Sequence, residues 1–261
     1  MRPSLCLSLC LSLAACADEH AHPSDAAVDA SHAHATDAPD DAPRSAARDL
    51  TVRVTHPAPH PDRLCEFSVV GADETPPARA VLRGFLADDA FTLRGALPTR
   101  EGRLAWFCDE SGNLAYDPPP MDRAGSASLA APPGPHTVRV TPEAPSSDIG
   151  APPATGTLTG RFSEFEVHVG VYFELSITLA GSDRVVGFYR QRALGAAGHF
   201  DLALRGILRD GQRYTARWFI DLNDNGVYDV RGDHGGTLDF DGAARGVTLV
   251  HLHHQNRAWT E

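Results

Sequence analysis

The residues best suited to chemistry lie in one acidic stretch, residues 221 to 229, with the sequence DLNDNGVYD. Its sixth position is Gly226, which tolerates the positive φ of a sharp turn. Oxygen-bearing side chains hold positions 1, 3, 5 and 9, and a backbone carbonyl holds position 7: Asp221, Asn223, Asn225, Asp229 and Val227. A hard cation such as Ca2+ takes about six to eight oxygen ligands, which alternating polar residues around a turn can supply. The spacing therefore predicts a calcium site.

This stretch resembles the calcium loops of EF-hands, dockerins and the calcium-bound β-repeats of bacterial surface adhesins. It differs from the EF-hand at position 12, where Gly232 stands in place of a bidentate Glu, with Asp233 as a further candidate ligand. Residues 214 to 220 alternate as a strand does and no helical pattern follows, so the adhesin-type β-sandwich setting is favoured. The alternative is an Asx-rich turn that satisfies its own backbone without a metal.

A degenerate copy of the loop lies in the first half of the chain, with Leu114 at the turn position that Gly226 holds. A leucine at positive φ is strained, so this copy is expected to have lost its metal or to bind it weakly. Its candidate ligands are Asp109, Ser111, Asn113 and Asp117.

Histidines offer a second kind of metal chemistry. His251 and His253 share one face of the last predicted strand, and His168 is expected on an earlier strand. Converging imidazoles bind zinc or copper. The alternative is a set of exposed histidines on an edge strand.

The N-terminus indicates export and lipid anchoring. A single arginine and a short apolar segment end in Leu13-Ala-Ala-Cys16, which resembles the bacterial lipobox. The resemblance implies that residues 1–16 form a signal segment ending at Cys16, whose sulfur receives a diacylglycerol that holds the protein to a lipid bilayer. Ala17 follows in place of a sorting Asp, which implies the outer membrane. Residues 17–49, rich in Ala, Asp and His, are predicted to be a disordered tether whose histidine pairs offer further metal ligands.

An internal duplication organises the rest of the chain. Trp106-Phe-Cys-Asp109 matches Trp218-Phe-Ile-Asp221 at an offset of 112 residues, and Leu93-Arg-Gly-Ala-Leu97 matches a segment 111 residues later. The expected organisation is one repeat over residues 50–141, a Pro/Ala/Ser/Gly linker over 142–156, and a second repeat over 157–261.

Within each repeat apolar and polar residues alternate in short runs separated by Gly, Asp and Pro turns, which is typical of β-strands. Six or seven strands in about 100 residues is the size of an immunoglobulin-like or transthyretin-like sandwich. The prediction is an all-β chain with two tandem β-sandwich units.

The two cysteines of the first repeat are expected to form a disulfide. Cys65 and Cys108 align with Phe173 and Ile220, and strand parity points all four into a core. Export takes thiols into an oxidising compartment, where such a pair is oxidised. The pairing is similar to the core disulfide beside a tryptophan in immunoglobulin domains. The alternative is two unpaired core thiols.

Composition excludes several function classes. The net charge is −11 and all 23 basic residues are arginine, so neither nucleic-acid binding nor Schiff-base chemistry is expected. G-x-S-x-G, H-E-x-x-H, C-x-x-C and phosphate loops are missing from the sequence. The chain is therefore expected to be no enzyme but an envelope lipoprotein, facing the periplasm or the cell surface. Its role would be a calcium-stiffened binding or scaffold module for a protein or glycan ligand.

Two alternatives stay open. One is a periplasmic protein that binds copper, zinc or nickel through the tether and last-strand histidines. The other is a hydrolase on a β-sandwich scaffold, which would need a deep pocket with at least two titratable groups.

Overall fold

The alternating segments form fourteen β-strands in the computed structural model of the protein. The structure describes residues 49–55, 64–71, 77–84, 89–98, 101–129, 135–142, 147–151 and 155–251. Strands of the first repeat are β1 Leu50–Val54, β2 Leu64–Gly71, β3 Ala78–Arg83, β4 Asp89–Leu93, β5 Gly102–Cys108, β6 Arg123–Leu129 and β7 His136–Val140. Those of the second are β8 Leu158–Phe162, β9 Tyr172–Leu179, β10 Val185–Gln191, β11 Phe200–Leu204, β12 Arg213–Asp221, β13 His234–Asp241 and β14 Val247–His251.

A short 3-10 turn, Glu166–His168, is the helical element found in the described ranges. No helix in these ranges is long and apolar enough to cross a membrane. The all-β prediction is confirmed.

The two repeats have the same topology. In the first, the sheet β4-β1-β7 faces the strands β3-β2-β5-β6; in the second, β11-β8-β14 faces β10-β9-β12-β13. Each strand of the first repeat has its counterpart in the strand numbered seven higher, so that β1 corresponds to β8 and β7 to β14. Both repeats therefore have the same strand order, as the aligned motifs predict.

The larger sheets of the two repeats are continuous. β10 pairs with β3 in parallel, so eight strands form one sheet in the order β13-β12-β9-β10-β3-β2-β5-β6. Ala80 and Phe188 are neighbours in this pair and both belong to the first core, whereas the next pair, Val81 and Tyr189, belongs to the second. Neighbouring residues of a strand point to opposite faces. The two cores consequently lie on opposite faces of the shared sheet, and each repeat contributes side chains to the core of the other.

The expected disulfide is present. Cys65 and Cys108 are paired directly across β2 and β5 with a Cα–Cα distance of 4.1 Å, and both side chains are fully buried. Phe173 and Ile220 hold the same paired position across β9 and β12. The bond joins neighbouring strands of one sheet, and in this it differs from the inter-sheet disulfide of immunoglobulin domains.

A tryptophan lies over a glycine at equivalent places in both repeats. Trp106 on β5 pairs with Gly125 on β6, and Trp218 on β12 pairs with Gly236 on β13. A Cβ at Gly125 would lie 2.4 Å from Cζ2 of Trp106, and one at Gly236 would lie 2.8 Å from Nε1 of Trp218. The glycines give each indole the room to cover the outer strand.

Candidate functional site

The acidic stretch connects β12 to β13. Asp221 is the last residue of β12 and Asp233 directly precedes β13, and both are 3% exposed. The carboxylate of Asp221 accepts hydrogen bonds from the backbone N–H groups of Asn225 (3.3 Å) and Gly226 (2.6 Å). That of Asp233 accepts from the backbone N–H groups of Leu222 (2.9 Å) and Asp229 (2.7 Å). Neither forms an ion pair with an arginine in the described part of the chain.

Asp229 joins these two carboxylates into one cluster. Its Oδ2 accepts hydrogen bonds from Nδ2 of Asn223 (2.8 Å) and Nδ2 of Asn225 (2.7 Å). The two asparagine Oδ1 atoms accept backbone N–H groups two residues on, at 3.2 Å from Asn225 and 2.8 Å from Val227. The structure therefore brings together all five side chains that the sequence nominated in this loop.

These hydrogen bonds also satisfy the loop internally, as an Asx-rich turn does. Within the described ranges, no group of three or more His, Cys, Asp or Glu side chains is arranged to hold a metal ion. The donor set itself consists only of oxygens, which are the ligands that a hard cation requires.

The first-repeat loop is built in the same way. Ser111 Oγ and Asn113 Nδ2 donate to Oδ2 of Asp117 at 3.2 and 2.7 Å. The backbone N–H groups of Glu110 and Asp117 donate to the carboxylate of Asp122 at 2.9 and 2.8 Å. Asp122 is fully buried and stands where Asp233 stands in the second loop.

The sequence did not indicate Asp122, because the motifs that match between the two repeats end at Asp117. The repeat does contain a signal for this residue. Asp122 lies three residues before Gly125, and Asp233 lies three residues before Gly236.

Leu114 keeps the backbone turn of its glycine counterpart. Its φ is 61°, against 76° for Gly226, and its N–H donates to Asp109 Oδ2 at 2.8 Å. The strain expected from the sequence is therefore present, but the loop retains its hydrogen-bond pattern.

The prediction that His168 lies on a strand is wrong. This residue lies in the 3-10 turn, because the chain turns again at Gly170 (φ 81°) and β9 begins only at Tyr172. Its buried ring packs against His234, with the ring centroids 5.0 Å apart and the planes perpendicular. His251 is the last residue of β14, whereas His253 lies outside the described residues, as do Cys16 and residues 17–48 of the tether.

The sequence did not indicate a cleft over the outward face of the second repeat, which we call the open cleft. It has a volume of about 500 Å3 and lies between β4 and the outward-facing residues of β9 and β10. Glu174 on its floor accepts a hydrogen bond from the hydroxyl of Tyr172. Arg190 contacts Oδ2 of Asp89 at 2.9 Å and donates to the carbonyl of Ala90 at 3.2 Å.

Burial is the main electrostatic influence on this floor. It raises the pKa of the Glu174 carboxyl above its usual range, although the Tyr172 hydrogen bond and the charges of Arg190 and Arg94 oppose the shift. Burial, together with the charge of Glu174, also raises the pKa of the Tyr172 hydroxyl. Both groups are thus costly to ionise in the folded chain.

An equivalent cleft, the closed cleft, lies between the outward face of the first repeat and β11, and is smaller, at about 180 Å3. Glu66, the counterpart of Glu174, is buried in contact with Arg79, and its other oxygen lies 3.8 Å from Arg205. Arg205 also donates to the carbonyl of Leu114 at 2.7 Å. Burial lowers the pKa of Arg79, and the charge of Glu66 opposes this shift. The residues of the two clefts come from strands far apart in sequence, so alternation within single strands could not reveal them.

No family of known proteins matches the chain, and no curated protein matches it. Among solved structures it is similar to a CBM26-family carbohydrate-binding module from Eubacterium rectale, crystallised with maltoheptaose. The identity is 10%, the match covers 77% of this chain and 90% of that one, and the TM-score is 0.21. A DUF3823 family protein from Bacteroides uniformis matches at 7% identity, 75% and 99% coverage and a TM-score of 0.21. The shaft pilin SpaA of Lactobacillus rhamnosus GG matches at 11% identity, 78% and 97% coverage and a TM-score of 0.20.

Proposed function

We propose that the chain is a binding or scaffold module of the bacterial cell envelope, stiffened by calcium in its second repeat. The observation that supports calcium is the pair of buried carboxylates, Asp221 and Asp233, which no described arginine neutralises. Buried charges are normally paired or bound to a metal. Asp229 adds a third carboxylate within the same hydrogen-bonded cluster.

Calcium in this loop would act as a clamp between strands. The ligands would be the carboxylates of Asp221, Asp229 and Asp233, supplemented by the Asn223 and Asn225 side-chain oxygens and the Val227 carbonyl. Because Asp221 ends β12 and Asp233 directly precedes β13, one cation would hold the two strands at the end where they leave the sheet.

A calcium titration tests this role on the whole mature chain, made soluble by Cys16→Ser. Calcium at millimolar concentration should raise the melting temperature, because a ligand at 100 times its Kd stabilises the folded state by about 2.7 kcal/mol. Asp233→Asn should abolish the rise, whereas the matched Asp122→Asn in the first loop should leave most of it. An unchanged melting temperature in wild type would end the calcium proposal.

The same titration with zinc and copper addresses the transition-metal alternative. The contact between His168 and His234 is the observation that favours it. A rise with zinc or copper that His234→Gln removes, with none for calcium, would establish that alternative instead.

The anchoring proposal rests on the lipobox resemblance at Cys16. It places the protein in the outer membrane, with the acyl chains of a diacylglycerol in the bilayer. Cells fed a radiolabelled palmitate should label the wild-type protein and not Cys16→Ala, and the label should follow the outer-membrane fraction. An unlabelled wild-type protein would contradict lipid anchoring.

A further inference from the structure

The duplication allows the two clefts to be compared position by position. In the closed cleft, Glu66 lies opposite Val81 on the neighbouring strand, and in the open cleft Glu174 lies opposite Arg190. This register makes Arg79 the counterpart of Phe188 and Tyr189 the counterpart of Ala80.

Three large side chains therefore fill the closed cleft: Arg79 on its glutamate, Tyr189 on its wall and Leu114 at its rim. In the open cleft the corresponding residues leave the floor uncovered. Phe188 stacks on Phe91, with ring centroids 5.7 Å apart, and Gly226 stands at the rim without a side chain. Since the same fold closes one cleft and leaves the other open, the sandwich architecture does not itself require a 500 Å3 cavity.

The open cleft carries balanced charge. Arg94, Arg190 and Arg217 line it together with Glu174 and Asp183, and Asp89 contacts Arg190 from beside it. When Glu174 is ionised, these three positive and three negative groups leave no net charge to attract an ion of either sign. The site therefore favours a neutral ligand over a charged one.

The polar atoms of the cleft include both donors and acceptors. Arg94 offers only donors, the Glu174 carboxylate offers only acceptors, and the hydroxyls of Tyr172, Ser176 and Thr178 offer both. A ligand with adjacent hydroxyl groups matches such a surface, because each hydroxyl donates once and accepts twice. The volume lies within the range of about 300–1,000 Å3 that is usual for small-molecule sites.

We propose that the open cleft binds a neutral oligosaccharide, whose hydroxyls donate to Glu174 and accept from Arg94. This inference rests on the binding role proposed above and names its site and ligand class, but it requires neither calcium nor the lipid anchor. Glu174 is the central group. It is half-buried on the cleft floor, it has one described hydrogen-bond partner in Tyr172, and no described arginine lies within ion-pair distance of it. Ligand hydroxyls would add hydrogen bonds to the one that Tyr172 provides.

Binding is tested with the mature Cys16→Ser chain and a panel of neutral gluco-, manno-, galacto- and xylo-oligosaccharides. The matching uronates and amino sugars serve as charged probes, and affinities are measured by calorimetry. At least one neutral sugar should bind more tightly than its charged forms. Glu174→Gln should weaken that binding about tenfold or more, because it removes a charged acceptor.

A pair of reciprocal variants controls for indirect effects. Gly226→Leu copies the closed rim and should block the sugar, since Leu114 shows that this turn accepts a leucine. Leu114→Gly makes the opposite change in the closed cleft and should leave sugar binding unaltered. Melting curves confirm that each variant is folded.

Binding of charged sugars only, or full affinity in both Glu174→Gln and Gly226→Leu, would overturn the inference. So would the absence of binding across the panel. If no sugar binds but calcium still raises the melting temperature, the proposed calcium-stiffened module is retained and only the sugar site is rejected. The two failures are therefore distinguishable.

Discussion

Glu174 and Glu66 stand at equivalent positions with different partners, and this difference predicts opposite responses to neutralisation. Burial raises the pKa of Glu174, so the folded chain binds this proton more tightly than the unfolded chain does. Its stabilising contribution is complete below the unfolded pKa, about 4.3, and is lost as the pH rises through the folded value. Glu174→Gln should therefore gain stability over wild type as the pH rises above about 4.3. Urea denaturation at a series of pH values measures this.

The matched control is Glu66→Gln. Arg79 is buried against Glu66, so removing the carboxylate leaves a buried cation with a weakened partner. The expected loss is about 3–5 kcal/mol at neutral pH. A stability difference between wild type and Glu174→Gln that stayed constant with pH would contradict the account of the open cleft.

At the residue scale, the sequence predicted the acidic cluster well because its members lie within thirteen positions of one chain segment. Alternating polar residues around a glycine leave few other arrangements. Glu174 on β9, Arg190 on β10 and Arg94, directly after β4, meet only through tertiary structure, so no local spacing could indicate their cleft.

At the element scale, each glycine under a tryptophan is required by packing. Gly125→Ala would place a Cβ 2.4 Å from the Trp106 ring, so the ring or the strand must shift. The expected loss is about 1–3 kcal/mol, as for other overpacked sites, and Gly236→Ala should behave alike. Gly195→Ala is the control, since nothing lies within 4 Å of its Cβ position. Equal urea midpoints for Gly125→Ala and Gly195→Ala would refute this packing argument.

The Cys65–Cys108 bond gives a second prediction for the strands. It closes a separation of 43 residues, which corresponds to about 4 kcal/mol in the chain-entropy model. Reductant should lower the urea midpoint of the Cys16→Ser chain accordingly, and should have no effect on a variant that also carries Cys65→Ala and Cys108→Ala. Two free thiols in the unfolded, unreduced chain would show that the bond does not form.

Alternation predicted most strands and the inward direction of Cys65 and Cys108, because one buried face imposes a two-residue period. It failed for β13, His234–Asp241, whose Gly-Gly pair interrupts the apolar pattern to make room for Trp218. Packing against an aromatic neighbour, and not periodicity, specifies that strand.

At the scale of the whole molecule, the parallel pairing of β3 with β10 makes the two repeats one folded body. The duplication predicted two tandem sandwiches, but it could not predict that the edge strands β3 and β10 would pair. An edge strand that pairs with another strand can have the same alternation of apolar and polar residues as one that stays exposed. Which strand it pairs with depends on packing on both faces of the sheet. The burial of five of the six residues of Ala78–Arg83 reflects this pairing.

The shared sheet predicts that the repeats unfold together. Separating them would break five registered residue pairs of β3 and β10, remove Phe188 from the first core and remove Val81 from the second. Neither repeat therefore keeps a complete core alone. In a Trp259→Phe background, Trp106→Phe leaves fluorescence from the second repeat and Trp218→Phe leaves it from the first.

Each tryptophan variant should unfold in one transition, and the midpoint each reports should match the midpoint that circular dichroism gives for the same variant. Val81→Ala lies on the first repeat but removes packing from the second core, at a cost of about 2 kcal/mol. It should lower the midpoints reported from both repeats by the same amount. Two separate transitions, or a Val81→Ala effect confined to one tryptophan, would mean that the repeats are independent domains and that the β3–β10 pairing is too weak to couple them.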